Sequence, residues 1–200
     1  LLIEQKQKDA PQAKALSKFT YRKNYPYGEA IEFMRKTIRE NPNQITLLTI
    51  GPLTNAALLF KVDPQIPFLL KGFYSMAGWF FDKEKKAEWN IMCDPHSFYI
   101  VNKSEIISHF IGLDVTRKAR LHRDKVREEF KKNPLLSTVL EFAEVWFEKS
   151  EYVTFHDIVG ACSIFTSDIL SFKKGFVDVE IEKKDIPGMT DFREDKNGTK

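Results

Sequence analysis

Strand-sized apolar runs alternate along this chain with helix-like stretches, and that alternation restricts the fold more than any other feature. Ile45 to Ile50 is an uninterrupted apolar and Thr run, the pattern of a parallel strand buried on both faces. Gly51-Pro52 breaks it, and a helix starting at Thr54 or Asn55 runs through Ala56, Leu58 and Leu59 to Asp63-Pro64. The cycle repeats: a strand over Phe68 to Met76, a long loop over 77–90, and a helix opened by Asp94 as N-cap with Pro95 in the first turn. Ile106 to Leu113 and Phe176 to Ile181 read as further strands. Glu29 to Arg39 reads as an amphipathic helix with Ala30, Phe33, Met34, Thr37 and Ile38 on one stripe, stopped by Asn41-Pro-Asn43. Residues 122–150 are helical with a break near Asn133-Pro134, and Asp157 to Phe165 is another helix. Residues 1–25 are polar and lysine-rich, a loop or loosely packed helix. Strands separated by helices predict an α/β fold, a mostly parallel sheet with helices on both faces.

With 200 residues, 42% hydrophobic, the chain suits a single α/β domain over 1–200. The net charge of +3 is small and the signs are interspersed, so no basic face for nucleic acid is expected. The run Lys83-Glu-Lys-Lys86 reads as a solvated loop. No apolar stretch approaches the roughly 18 residues of a membrane span. Cys93 and Cys162 have no CxxC spacing and read as small buried hydrophobes in a reducing, cytoplasmic setting.

In a parallel sheet, ligands bind beyond the carboxyl ends of the strands. Ile50-Gly51, Met76-Ala-Gly78, Asp114 and His156-Asp157 all fall at such ends or at helix starts. Asp157 is a hard oxygen ligand suited to Ca²⁺ or Mg²⁺, and His156 can give a proton to a leaving group near neutral pH. The competing reading makes Asp157 a helix cap and His156 a satisfied core or surface residue. Glu88-Trp-Asn90 places an acid, an aromatic and an amide side by side. These can hold sugar hydroxyls and lie against a ring, or they can anchor one Trp in the core. The Ile50 carbonyl, freed by the following Gly-Pro, can coordinate a cation or simply turn the chain. No GxxxxGK[ST] loop is present. Trp146-Phe147, with Tyr152 and Phe155, reads as core or pocket wall, and His96 as half exposed on its helix.

These segments, in this order, resemble the inosine/uridine-preferring nucleoside hydrolases. The matching pieces are Ile45-Thr-Leu-Leu-Thr-Ile-Gly-Pro-Leu-Thr-Asn55, Ser75-Met-Ala-Gly78, Ala87-Glu-Trp-Asn90 with Cys93-Asp-Pro95, Ile111-Gly-Leu-Asp-Val-Thr116, Phe155-His-Asp157, Gly188-Met-Thr190 and Asp191-Phe-Arg193. The resemblance implies a Rossmann-like parallel-sheet enzyme, acting in purine and pyrimidine salvage. It would hydrolyse the N-glycosidic bond of ribonucleosides with a bound Ca²⁺, through an oxocarbenium-like transition state. By the same resemblance, the Ile50 carbonyl and Asp157 are metal ligands, Met76, Glu88 and Asn90 contact the ribose, Trp89 lies against the nucleoside, and His156 protonates the departing base. It also implies a homo-oligomer, a dimer or tetramer.

The chain departs from the family pattern in three places. The family's Asp-x-Asp-x-Gly-x-Asp-Asp cluster, which supplies the other metal carboxylates and the general base, has no counterpart, and Asp9 lacks its context. The loop from Met76 to Glu88 is short and has no Gly-Asn step. Ile158 stands where the family has Pro. The expectation is therefore an internal portion of a longer enzyme, opening at Leu1-Leu2-Ile3, with too few oxygens of its own for Ca²⁺. Two other readings are a non-catalytic nucleoside- or ribose-binding relative and an all-helical HD-type phosphohydrolase using His122, His156-Asp157 and Asp185.

Overall fold

The computed structural model describes residues 9–82, 86–166, 168–183 and 187–195. The chain forms two compact units. Among the described residues, one comprises Tyr27–Thr116 with residues 156–195, and the other residues 9–26 with Arg117–Phe155.

The first unit is built on three parallel strands, β1 (Thr46–Thr49), β2 (Gly72–Met76) and β3 (Ser108–Ile111), in the order β1-β2-β3. The register pairs Thr49 with Ser75 and Met76 with Ile111, so the carboxyl ends of the strands lie level. Helices α1 (Ala30–Glu40), α2 (Thr54–Val62) and α5 (Pro95–Asn102) supply the main core with Leu47, Phe73 and Phe110 of the sheet. Phe73, Leu59, Phe98 and Val101 are fully buried there. Helix α9 (His156–Phe165) covers the other face. A Cβ on its Gly160 would stand 3.7 Å from a Leu48 methyl and 3.8 Å from the Met76 Cβ. The sheet therefore has helices on both faces, as expected from the alternation.

Helix α1 ends where Asn41-Pro-Asn43 predicts, with Asn43 at a φ of 59°. Its inward stripe is Ile31, Met34 and Ile38. Phe33, expected on it, is 70% exposed. Arg39 forks onto Asp63 through Nε–Oδ2 and Nη2–Oδ1 bonds of 2.5 and 2.7 Å, which ties the end of α1 to the end of α2. That fork holds the Asp63 carboxyl below its usual range. Asp94 caps α5 by accepting from the Ser97 N–H at 3.0 Å, with Pro95 in the first turn.

Several expectations change. Strand β1 is half-buried throughout, because it pairs on one side only among the described strands. The run from Phe68 divides into a short helix α3 (Ile66–Leu69) and β2, since Pro67 has the φ of a helix first turn. Helix α4 (Trp89–Cys93) opens inside the expected loop. The strand expected at Phe176 to Ile181 is β6 (Gly175–Val179), but it pairs antiparallel with β7 (Thr190–Glu194) rather than joining the parallel sheet. Cys93 is buried, whereas Cys162 is exposed on α9, where Ile158 and Phe165 are exposed too. The run at 83–86 lies outside the described residues except for exposed Lys86, as do Leu1-Leu2-Ile3 and Asp185.

The second unit contains a 3-10 helix (Pro11–Lys18), α7 (Arg123–Phe130) and α8 (Pro134–Phe147), broken from α7 at Asn133 as expected. It also holds an antiparallel pair, β4 (Arg120–His122) with β5 (Tyr152–Thr154). Its core is Val126, Leu140 and Phe147, with Phe130, Ala143, Val153 and Phe155 against them. Trp146, beside buried Phe147, is half exposed and donates its indole N–H to the Tyr152 carbonyl at 2.8 Å. Among the described residues, no helix is long and apolar enough to cross a membrane.

Candidate active site

The level carboxyl ends of β1, β2 and β3 put Ile50 beside Met76, and Met76 beside Ile111. Ile50 is 51% exposed and Met76 is buried. Below them Thr49 donates its hydroxyl to Ser75 Oγ at 2.7 Å, a cross-strand polar pair inside the sheet. Beyond β2 the chain turns at Gly78, whose φ of +92° suits glycine, and a Cβ there would strike the Phe80 ring.

Glu88 closes this turn from the far side of the loop. It is 3% exposed. Its carboxylate accepts from Asn90 N at 2.8 Å, Ile91 N at 3.2 Å and Gly78 N at 3.3 Å, so it caps α4 and pins the end of β2 together. Burial pushes its carboxyl above the usual range, and the Asp157 charge adds to that push. Asn90 reaches back to β2, donating its amide to the Met76 carbonyl at 2.9 Å. Trp89, between them, turns outward and is 52% exposed. Glu-Trp-Asn thus alternates an inward clamp, an exposed ring and a second inward clamp.

His156 and Asp157 form the first turn of α9, which packs on β2 beside Met76. His156 Nδ1 lies 2.8 Å from the hydroxyl of Thr116, the last residue of the short helix α6 (Leu113–Thr116) after β3. Burial pushes the His156 imidazole below its ordinary pKa, and Asp157 opposes this. Partial burial raises the Asp157 carboxyl, and His156 opposes that. These positions therefore hold a histidine that favours its neutral form and two carboxyls that are disfavoured as anions.

The seven residues singled out from sequence fall into two groups in the same unit: Ile50, Met76, Glu88, Trp89 and Asn90 at the strand ends, and His156 and Asp157 at the start of α9. Three polar side chains given no role by the sequence reading hold this framework. Asp114 Oδ1 accepts from both Phe80 N and Phe81 N at 2.7 Å. The Thr190 hydroxyl accepts from the Trp79 N–H and donates to the Trp79 carbonyl, each at 3.1 Å. Thr116 meets His156. Asp114 and Thr116 stood inside the motif Ile111-Gly-Leu-Asp-Val-Thr116, but nothing in that string says that both are buried.

A hard cation such as Ca²⁺ takes six to eight oxygens. Among the described residues no group of three or more His, Cys, Asp or Glu side chains is placed to hold a metal. The Ile50 carbonyl and the Asp157 carboxylate have the right chemistry but are too few. The described residues do not by themselves fit the ion. The HD-type alternative is overturned by the three parallel strands. Its His122 caps α7, with Nδ1 3.3 Å from the Asp124 N–H, and packs edge-on against Tyr152.

A sequence model of the family described as inosine-uridine preferring nucleoside hydrolase matches residues 5–200. The pyrimidine-specific ribonucleoside hydrolase RihA of Salmonella newport (strain SL254) is 32% identical over 176 residues, 80% of this chain and 55% of that protein. Uridine nucleosidase 1 of Arabidopsis thaliana is 31% identical over 163 residues, 76% of this chain and 48% of that protein. This chain thus spans about half the length of the curated relatives it matches. Among solved structures, an inosine-uridine preferring nucleoside hydrolase from Bacillus anthracis aligns with a TM-score of 0.75 at 20% identity, over 90% of this chain and 62% of that one. A plant nucleoside hydrolase aligns with the same TM-score and identity over 60% of its length.

Proposed function

This chain belongs to the inosine-uridine preferring nucleoside hydrolase family, and from that premise we propose that it carries part of a site that hydrolyses the N-glycosidic bond of ribonucleosides to ribose and free base. The bond between the anomeric carbon and the base nitrogen breaks, its electron pair leaves with the base, and a water oxygen bonds to the carbon. His156 delivers a proton to the base as it departs. Met76, Glu88 and Asn90 contact the ribose, and the exposed Trp89 ring lies against the nucleoside. Ile50 and Asp157 contribute two oxygens toward a Ca²⁺ site that needs further ligands, and the residue that takes the water's proton is not among those described here. The protein works as a homo-oligomer, on a small-molecule substrate, in the cytoplasm, where its two free cysteines suit a reducing setting.

One observation carries this reading: the start of α9 brings His156 and Asp157 to the carboxyl ends of the same parallel strands that carry Ile50, Met76 and the Glu88–Asn90 clamp. The test is base release from uridine, a pyrimidine nucleoside of the class the two curated relatives are named for, and from inosine. It uses the protein at its natural length, with Ca²⁺ and then with chelator. Chelator-sensitive release is expected, with kcat falling about 10²- to 10⁴-fold in His156→Ala. No release of either base by folded protein with Ca²⁺ would overturn hydrolysis. The short oxygen set favours one second reading, nucleoside binding without cleavage. Saturable uridine binding in the absence of release would establish it.

A further inference from the structure

The contact between Thr116 and His156 fixes more than a distance. Thr116 is 0% exposed. Its hydroxyl makes one hydrogen bond among the described residues, to His156 Nδ1 at 2.8 Å. A hydroxyl carries one hydrogen, and a neutral imidazole has one donor nitrogen and one acceptor nitrogen. If Nδ1 carried the ring hydrogen, the Thr116 hydrogen would be buried with no acceptor among the described residues, the unfavourable state for a buried donor. If Thr116 donates to Nδ1, both groups are satisfied. The neutral ring then holds its hydrogen on Nε2. Nδ1 is then occupied by Thr116 and Nε2 bears the ring hydrogen.

We propose that Thr116 is a positioning residue for His156: its buried hydroxyl, 2.8 Å from Nδ1, holds the ring in one orientation and in the Nε2–H tautomer, so that Nε2 is the atom that serves the departing base. The tautomer and the orientation follow from the contact alone. Their catalytic consequence rests on the hydrolase reading above. In that reaction the proton passes from Nε2 of the charged ring to a nitrogen of the base, the electron pair of the broken bond stays with the base, the ring is left with its one hydrogen on Nδ1 facing the Thr116 hydroxyl, and solvent returns a proton to Nε2.

Placement on α6 supports a positioning role. The Thr116 N–H bonds the Gly112 carbonyl at 3.1 Å, and the Leu113 N–H bonds the Gly78 carbonyl at 2.7 Å. The hydroxyl is therefore mounted on backbone tied to the ends of β2 and β3, the framework that also carries Met76. A side chain of that shape without the hydroxyl would keep the packing and release the ring.

The test reads the tautomer directly. The chain is labelled with ¹⁵N-histidine and long-range ¹⁵N–¹H correlations are recorded well above the ordinary histidine pKa of about 6.5, with His156 assigned through His156→Gln. Wild type is expected to show a protonated Nε2 and a bare Nδ1. Thr116→Val is expected to give a mixture of tautomers, and Thr116→Ser to restore the wild-type pattern. In base-release assays, Thr116→Val lowers kcat about 10- to 100-fold with little change in KM, and Thr116→Ser recovers most of it. A wild-type ring protonated at Nδ1, or a mixture in wild type, overturns the proposal without recourse to any variant. An unchanged tautomer in folded Thr116→Val overturns the assignment to Thr116. The expected tautomer pattern in a protein that releases no base leaves the contact standing and removes the hydrolase reading, so the two failures are told apart.

Discussion

Around Phe73, the parallel-sheet unit buries Leu59, Ile66, Ile91, Phe98 and Val101 completely, whereas the core cluster of the helix-pair unit has only Val126 at 0% exposure, with Leu140 and Phe147 at 7% and 5%, among the described residues. Polar groups follow the same division. In the first unit Glu88, Asp114, Thr116 and Ser75 are buried, each with a backbone or side-chain partner. In the second, charges face solvent. Lys125 and Lys132 flank Glu129 at 2.8 and 2.9 Å and hold its carboxyl down at about 2, and Arg127 forks onto Glu144 with two 2.8 Å bonds. Lys18 of the 3-10 helix pairs with Glu141 of α8. Exposed pairs of this kind contribute about 0–1 kcal/mol each. Buried polar groups cost stability unless satisfied, and in the first unit hydrogen bonds at and near the strand ends offset that cost.

The sharpest test of this contrast is Phe73→Ala, which should destabilise the first unit by about 3–5 kcal/mol, read by hydrogen exchange at β2 and α5 amides. A single domain over the whole chain, the expectation from sequence, requires the same loss at α7 and α8 amides. Loss confined to the first unit would separate the two.

Next in size is Glu88→Ala, which leaves the N–H groups of Gly78, Asn90 and Ile91 without their acceptor and should cost about 1–3 kcal/mol. Glu88 also sets a pH dependence. Its folded pKa lies above the unfolded value near 4.5, so above that value the folded state binds more protons than the unfolded state and stability falls as pH rises toward the folded pKa. Urea midpoints for wild type and Glu88→Gln should diverge over that window, wild type losing more. Parallel curves would mean that Glu88 is not held as a buried acid.

The smallest effect is expected at Arg127–Glu144. A double-mutant cycle with Arg127→Ala and Glu144→Ala should give a small coupling that shrinks with added salt. A coupling of several kcal/mol that resists salt would show that the second unit depends on its charges as the first depends on its core.

Much of the framework could be read in advance because local rules governed it. Asp94-Pro95 opens a helix wherever the cap and the fixed proline φ agree, and Asn133-Pro134 separates two helices for the same reason. The strand expected over Phe68 to Met76 started too early, because a Pro-led helical turn and a strand share the same apolar composition and periodicity over so few residues cannot separate them. Phe33 failed because α1 turned Ile31 inward in its place. The partner of β6 failed because antiparallel pairing with β7 depends on a return of the chain that no local pattern encodes.

By itself the sequence determined the alternation of strands and helices, the caps, and the presence of Glu88, Asn90, His156 and Asp157 in motifs at element ends, since these follow from residue type and spacing along the chain. Only the tertiary structure decided that Glu88 turns its carboxylate onto three backbone N–H groups, that Asp114 clamps Phe80 and Phe81, and that Thr116 meets His156 from 40 residues away. Burial and hydrogen-bond satisfaction are properties of the packed chain. A threonine reads the same on a surface as in a core until the strands bring its partner within reach.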